Sequence, residues 1–527
     1  MQNMPTQTPQ SPAGVRLVLP ANTDALASIH ALLRVQAQQH HFSESAQTHM
    51  STAAEEALST ILRLSKDDAN DISLELEVHI EVDDQALKLR LSDQGMPYDS
   101  SLIPEYCPTQ PDHAHDDEAG LSAFLMHKLA DACEVHNWGH QGHHVLLLWL
   151  LPMSTATNDG EDEGENADVA GAADIADAPE ALAQAPQAAE SIATYTRPFQ
   201  DSDAIHLARL LYRSYGYSYT NPDLYIADNI RARIADGRMT SWVAVVQGDE
   251  SNTPVGHIAF LKAHRDDDTM EVGAAVVSPS LRSSGVLGQL LATAAAAVVK
   301  RPERAAFVYA VAAHPYSQKM FAKVGCIPSA LLLGFMPPTV QYRSIAGHAA
   351  SQRGSVFYTC KLLRPADPVK VFLPAIWEPM LTQFAAGIGL PLLPQADANM
   401  ALSGKTDIHV RVRDTLNSAF LTLKHAGQDL EQVLPKLLRQ LCRQQLDVMY
   451  LSLDLSDAAA PQVCAAATAL GFIPAGLTPF RPWPATLCLQ YLNNQWQDPA
   501  GISAVGPVAE ALRDVVFEQY RRVEHLD

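Results

Sequence analysis

Between Asn158 and Ser191 the chain is rich in Asp, Glu and Ala, has no Lys or Arg, and has almost no large apolar side chain. Such a stretch cannot bury enough apolar surface to offset the entropy lost on ordering it. It therefore cannot lie in a core, and it splits the 527 residues into regions that must each build their own. We read 154–191 as a flexible acidic linker. The Gln/Pro/Ser-rich residues 1–14 read as disordered, 15–153 as one domain, and 192–364 and 365–527 as two more.

The net charge of -22, part of it local to the linker, argues against non-specific binding to nucleic acid or to an anionic membrane. The seven cysteines are scattered, with no Cys-x-x-Cys, which points to reduced thiols rather than a disulfide framework. The first residues lack the basic-then-apolar order of a signal peptide. The apolar run VLLLWLLP at 145–152 is too short to span a bilayer. A soluble, cytoplasmic protein is expected.

After Ile192, strand patterns at 241–247, 254–264 and 269–279 precede a helix at 287–300, a strand at 305–313 and a short helix from Tyr316. This alternation predicts a mixed α/β domain. One junction stands out: Val277-Ser-Pro-Ser-Leu-Arg282-Ser-Ser-Gly285-Val-Leu-Gly288. Successive N–H groups at a helix start can converge on an anion, and glycine lets the backbone come close. A second segment, His314-Pro-Tyr-Ser-Gln-Lys-Met-Phe321-Ala-Lys-Val-Gly325, follows it.

In this order the two segments resemble the Gcn5-related N-acetyltransferase (GNAT) family over about 194–363. The resemblance implies a GNAT fold and acetyl-CoA bound by Val277, Arg282, Ser283, Ser284, Gly285, Val286, Leu287 and Gly288. The family usually has a small residue where Leu287 stands. It also implies Glu271 as the base acting on the amine, with His257 on the neighbouring strand as second candidate. Many members carry a thiolate-protonating Tyr where this chain has Phe321, which leaves His314 or Tyr316 for that role. The acceptor would be an amine, either a small molecule or a protein lysine.

Upstream, the helix pattern AAEEALSTILRL and two strands lead to Asp93-Gln-Gly95, a loop rich in Asp and His, Gly120-Leu-Ser122, and Gly142-His-His-Val. This order resembles the histidine-kinase-like ATPases and anti-sigma-factor serine kinases over 15–153. It implies a Bergerat-type α/β sandwich with Asp93 on adenine, Gly95 in the turn, Gly120 and Gly142 near the phosphates, and Glu56 as base, with ATP and Mg²⁺ as ligands. Thr60 replaces the family's Mg²⁺-binding Asn, Ser122 its second Gly, and His143 its late Thr. Such a domain also grips protein partners, here a sigma-factor-type protein or an antagonist. His113, His115, His136, His140, His143 and His144 read as polar loop and strand residues rather than a metal site, because no ligand spacing enforces one.

The last third carries an internal echo. Residues 308–332 and 449–479 both run strand, helix, then Gly-[Cys/Phe]-Ile-Pro-[Ser/Ala]. The second copy lacks the glycine junction, so 365–527 is expected to be a degenerate GNAT-like domain. It would shield the central domain, complete a substrate groove, or mediate self-association as a homodimer. Two functions remain open: an acetyl-CoA-dependent N-acetyltransferase regulated by its N-terminal domain, or a non-catalytic partner-switching protein with two worn ligand sites.

Overall fold

The computed structural model describes residues 14–64, 74–99, 106, 118–152, 192–282, 284–340, 352–396 and 401–524. The expected linker, 154–191, and the residues expected to be disordered, 1–14 except for Gly14, lie outside them. The chain divides into two compact units, Met1–Ile192 and Ala193–Asp527.

In the first unit the sheet order is β1-β2-β3-β5-β4, every pair antiparallel. The strands are β1 (Val15–Pro20), β2 (Glu75–Val82), β3 (Ala86–Asp93), β4 (Ala132–Asn137) and β5 (His143–Leu150). Helices α1 (Ala25–Gln39), α2 (Glu44–Leu64) and α3 (Glu118–Leu129) complete it. Alternation of buried and less buried residues along most of β2 and β3 shows one face in the core. There Val78, Ile80, Leu89 and Leu91 meet Ile29, Leu33, Ala57 and Ile61 of α1 and α2.

The second unit is built on a twelve-stranded sheet of order β15-β16-β17-β19-β18-β11-β12-β10-β9-β8-β7-β6. Its first half comprises β6 (Thr194–Pro198), α4 (Asp203–Tyr215), α5 (Ala227–Ala235), β7 (Met239–Val246), β8 (Pro254–Leu261), β9 (Thr269–Val277), α6 (Val286–Val298), β10 (Ala305–Val311), α7 (Tyr316–Ala322), β11 (Ile327–Met336) and β12 (Gly354–Leu362). A small parallel pair, β13 (Val369–Val371) and β14 (Leu392–Pro394), flanks α8 (Glu378–Ile388). The second half comprises β15 (Asp407–Arg413), β16 (Ser418–His425), α9 (Leu430–Arg443), β17 (Val448–Asp454), α10 (Ala460–Thr468), β18 (Ile473–Leu477), β19 (Thr486–Leu492) and α11 (Pro507–Glu524). Strands β15 to β19 repeat the connections and directions of β8 to β12, with α9 and α10 where the first half has α6 and α7.

The expected boundary between 364 and 365 does not separate two compact units. Strands β11 and β18, both opened by the Ile-Pro echo, meet antiparallel at Ala330 and Gly476. Each carries a register shift just after its proline, as a β-bulge does. The irregular backbone of β11 would leave buried polar groups unpaired, and buried side chains satisfy them. Gln490 accepts from Leu333 N–H at 2.8 Å and donates to Leu331 C=O at 3.1 Å. The Tyr450 hydroxyl donates to Leu333 C=O at 2.9 Å. Arg353 donates to the carbonyls of Gly334 and Leu416, each at 2.6 Å, and to the Asp447 carboxylate at 2.6 Å. One apolar core, from Phe307 to Phe517, continues through the join. Among the described residues no helix is long and apolar enough to cross a membrane.

The join requires glycine at 476. Its φ is +130°, and a Cβ there would lie 2.2 Å from Ser329 O and 2.7 Å from Ala330 Cα. Gly476→Ala is expected to destabilise the second unit by about 1–3 kcal/mol. Gly387→Ala, on α8 with nothing within 4 Å of the added methyl, is expected to stabilise it by up to about 1 kcal/mol. Denaturant midpoints of the two variants check this.

Candidate functional site

Strands β9 and β10 run parallel but pair at only three positions, ending at Glu271 opposite Phe307. Beyond Glu271 they part, while β9 stays paired to β8 and β10 to β12. The edge of β9 from Val272 to Val277 therefore faces a gap and offers its backbone to an extended ligand. In the second half the corresponding strands, β16 and β17, stay paired over five positions.

The parting has a local cause. A bulge places Ala274 at φ +48°, a conformation that side chains disfavour. Two side chains hold it. His257 Nδ1–H donates to Ala274 C=O at 2.7 Å, and Ala274 N–H donates to the Tyr219 hydroxyl at 3.2 Å. His257 is fully buried, and burial lowers its pKa to about 4. It stands as a neutral strut for the bulge, with Nδ1 committed to the Ala274 carbonyl.

The gap leads to the start of α6. Gly285 sits at φ +89° with nothing within 4 Å of an added Cβ, and the space at Gly288 is equally open. No backbone acceptor among the described residues takes the N–H of Gly285, Val286, Leu287 or Gly288. These groups stand at the positive end of α6, an arrangement that favours an anion. Leu287 packs against the apolar cluster of α6, and Val286 and Val277 are buried in it. Ser284 Oγ is committed to Leu281 C=O at 2.6 Å, and Arg282 reaches Ser214 Oγ on α4 at 3.3 Å. Ser283 lies outside the described residues.

Glu271 stands at the throat of the gap, partly buried, with its carboxylate 3.0 Å from the space over Gly273. Burial raises its pKa, opposed by the fields of Arg481 and Arg413. The Tyr219 hydroxyl is also pushed well up, by burial first and by the Glu271 charge next, so it keeps its proton. Of the candidate proton donors, Tyr316 is 74% exposed at the start of α7 and His314 is partly buried in the preceding turn. Phe321 is in the core.

Sequence reasoning missed Tyr219, Tyr309 and Arg481. Arg481, from the β18–β19 loop, lies 4.1 Å over the Phe307 ring and donates to the Tyr309 hydroxyl at 2.8 Å. The run Tyr212 to Tyr225, with five tyrosines, was the available signal for Tyr219. Its rings pack on one another, as Tyr215 on Tyr219 at 5.1 Å and Tyr217 on Tyr225 at 4.9 Å.

In the first unit, Asp93 and His143 face each other across β3 and β5, both side chains fully buried. Asp93 Oδ1 accepts from Gly95 N–H at 2.7 Å and from His143 Nδ1–H at 3.1 Å, while Oδ2 has no partner among the described residues. Tyr98 packs 4.5 Å from the His143 ring, and burial raises its hydroxyl pKa. Gly142, at φ +89°, leaves room for Asp93 C=O, which a Cβ would meet at 2.2 Å. Glu56 is partly buried on α2, one turn before the buried Thr60. Gly120 and Ser122 are buried on α3. Among the described residues no three His, Cys, Asp or Glu side chains gather as metal ligands. His113 and His115 lie outside the described residues.

Residues 19–149 match the family model of the histidine kinase-like ATPase domain, and residues 204–326 match that of the GNAT acetyltransferase family. The chain thus contains an ATPase-like domain and a GNAT domain. No curated protein matches it. Similar solved structures include the spermidine/spermine N-acetyltransferase SpeG from Vibrio cholerae, at 11% identity over 32% of this chain and 94% of that one, TM-score 0.26. NAA60 from Arabidopsis thaliana matches at 13% identity over 32% and 98%, TM-score 0.25. The ribosomal-protein-S18-alanine N-acetyltransferase from Escherichia coli matches at 10% over 32% and 94%, TM-score 0.26.

The raised pKa of Glu271 sets a sign. A carboxyl that binds its proton more tightly when folded costs stability above its unfolded pKa, about 4.3. Glu271→Gln is therefore expected to raise the thermal midpoint at pH 8, with the difference closing below pH about 4. A difference independent of pH contradicts this.

Proposed function

We propose that the second unit is an acetyl-CoA-dependent N-acetyltransferase regulated by the N-terminal ATPase-like domain. The observation that carries the reading is the gap between β9 and β10 opening onto the free N–H groups of α6. In this reading Gly285 to Gly288 hold the diphosphate, and the free edge of β9 holds the pantetheine arm. Glu271, through water, takes a proton from the acceptor amine, whose nitrogen attacks the thioester carbonyl carbon. A backbone N–H on β9 stabilises the oxyanion. The C–S bond breaks as the amide forms, and the thiolate takes its proton from His314, Tyr316 or water. The second half, whose strands stay paired and which lacks the glycine junction, is a partial duplicate that binds no CoA.

Gly288→Glu places a carboxylate in the cradle without filling occupied space. Calorimetry on the full chain is expected to show acetyl-CoA binding that weakens at least tenfold in this variant, with an unchanged thermal midpoint. A folded wild-type protein that binds no acetyl-CoA would falsify the reading.

The pairing of Asp93 with His143 favours an N-terminal domain that regulates by gripping a protein partner rather than by turning over ATP. One oxygen of the carboxylate that would meet adenine, Oδ1, is already engaged by Gly95 N–H and His143, and Thr60 stands where a Mg²⁺ ligand is needed. In this reading His143→Thr frees Asp93 and raises affinity for a fluorescent ATP analogue. Tight binding by the wild type, unchanged in the variant, counts against it.

A further inference from the structure

An unbroken floor of rings crosses the join between the two halves. Phe307 stacks on Tyr358 at 5.1 Å, Tyr309 on Phe335 at 4.6 Å, and Phe420 on Tyr450 at 5.3 Å. Phe335 lies 6.4 Å from Phe420 and 5.9 Å from Tyr450. The floor thus runs from β10 through β11 and β12 to β16 and β17. At one end it starts beside Glu271, the register partner of Phe307.

Three guanidiniums stand on this floor. Arg481 lies over Phe307 at 4.1 Å, with Tyr309 at 5.9 Å and Tyr358 at 6.0 Å. Arg411 and Arg413 lie over Phe420 at 5.7 and 5.8 Å. The last two share one face of β15, two residues apart. Among the described residues no carboxylate lies within ion-pair distance of any of the three. Glu271 and Asp267 act on the cluster only at longer range. In a chain with net charge -22, three clustered arginines without a paired carboxylate are costly to assemble. Arginine on an aromatic face, with its planar fork free at the edge, suits a carboxylate or phosphate.

We propose that this ring floor and Arg411, Arg413 and Arg481 bind the anionic group of the acceptor, a small amine that also carries a carboxylate or a phosphate. The inference rests on the acetyltransferase reading and adds the substrate class to it. Two contacts flank the arginines. Thr415 Oγ1 donates to Thr220 C=O at 3.2 Å, tying the end of β15 to the tyrosine-rich segment. Arg304 lies 5.1 Å over Phe480, pinning the loop that carries Arg481. The anionic group then lies on the arginines while the amine faces Glu271.

The test compares matched amines on the full chain: glycine against methylamine, γ-aminobutyrate against butylamine, and phosphoethanolamine against ethanolamine. At least one member that carries a carboxylate or phosphate is expected to show a kcat/KM tenfold or more above its partner without that group, and the carboxylate and phosphate pairs separate the two chemistries. Arg481→Gln and the double variant Arg411→Gln/Arg413→Gln should each cut that preference at least tenfold while acetyl-CoA binding stays unchanged. The positions of the double variant are exposed, so its fold is not at stake. Amines without the anionic group used as well as those with it, or a preference that survives in the variants, overturns the proposal. Should no amine be acetylated, malonate titrations decide. Malonate should raise the thermal midpoint of the wild type and of Gly288→Glu, but not of the arginine variants. Equal shifts in all of these proteins overturn the arginine site, whereas lost acetyl-CoA binding with an intact malonate response overturns only the acetyltransferase reading.

Discussion

The antiparallel meeting of β11 and β18 is the constraint on which the second unit depends. An exposed sheet edge invites uncontrolled pairing, and here two edges close each other. The closure is specific because β11 is bulged. Its backbone groups at Leu331, Leu333 and Gly334 need partners that only Gln490, Tyr450, Arg353 and Ser355 supply. Gln490 and Tyr450 come from the second half, and Arg353 and Ser355 are tied to it through Leu416, Asp447 and Gln497, so the halves cannot separate without leaving buried polar groups unpaired. The same meeting fixes the β18–β19 loop and thereby sets Arg481 over Phe307, next to Glu271.

The two halves share one connectivity and differ where function would require it. In the first half a bulge, held by His257 and Tyr219, turns the edge of β9 away from β10, and a helix with unclaimed N–H groups stands at the end of the gap. In the second half β16 and β17 stay paired, and Asp429, at the start of α9, accepts from Thr406 N–H at 2.7 Å. A carboxylate at that position repels an anion. The repeat has thus become a wall, with arginines and rings on the face that it turns to the first half.

Much of this was legible in the sequence because it is local. Strand alternation, the glycine junction after β9 and the Ile-Pro echo each report on neighbours along the chain. The echo even marked the two strands that meet, although not that they meet. What stayed hidden depends on long-range contact. His257 read as a possible base because a lone histidine on a strand does not reveal that its Nδ1 serves a bulge seventeen residues away. Arg481 sits in a Pro-rich loop that carries no motif, and it lies more than 170 positions from the ring that it covers. In the first unit the Asp-x-Gly turn was readable, but the capture of Asp93 by His143 required the register of β3 and β5.

The central claim is that the second half belongs to the chemistry of the first. The field of Arg481 lowers the pKa of Glu271 against the effect of burial. The most direct measurement is therefore the pH dependence of kcat/KM for wild type and Arg481→Gln with an amine that carries no anionic group. The account expects the ascending limb, where Glu271 loses its proton, to move to higher pH in the variant. A limb that stays in place with an unchanged plateau would contradict it.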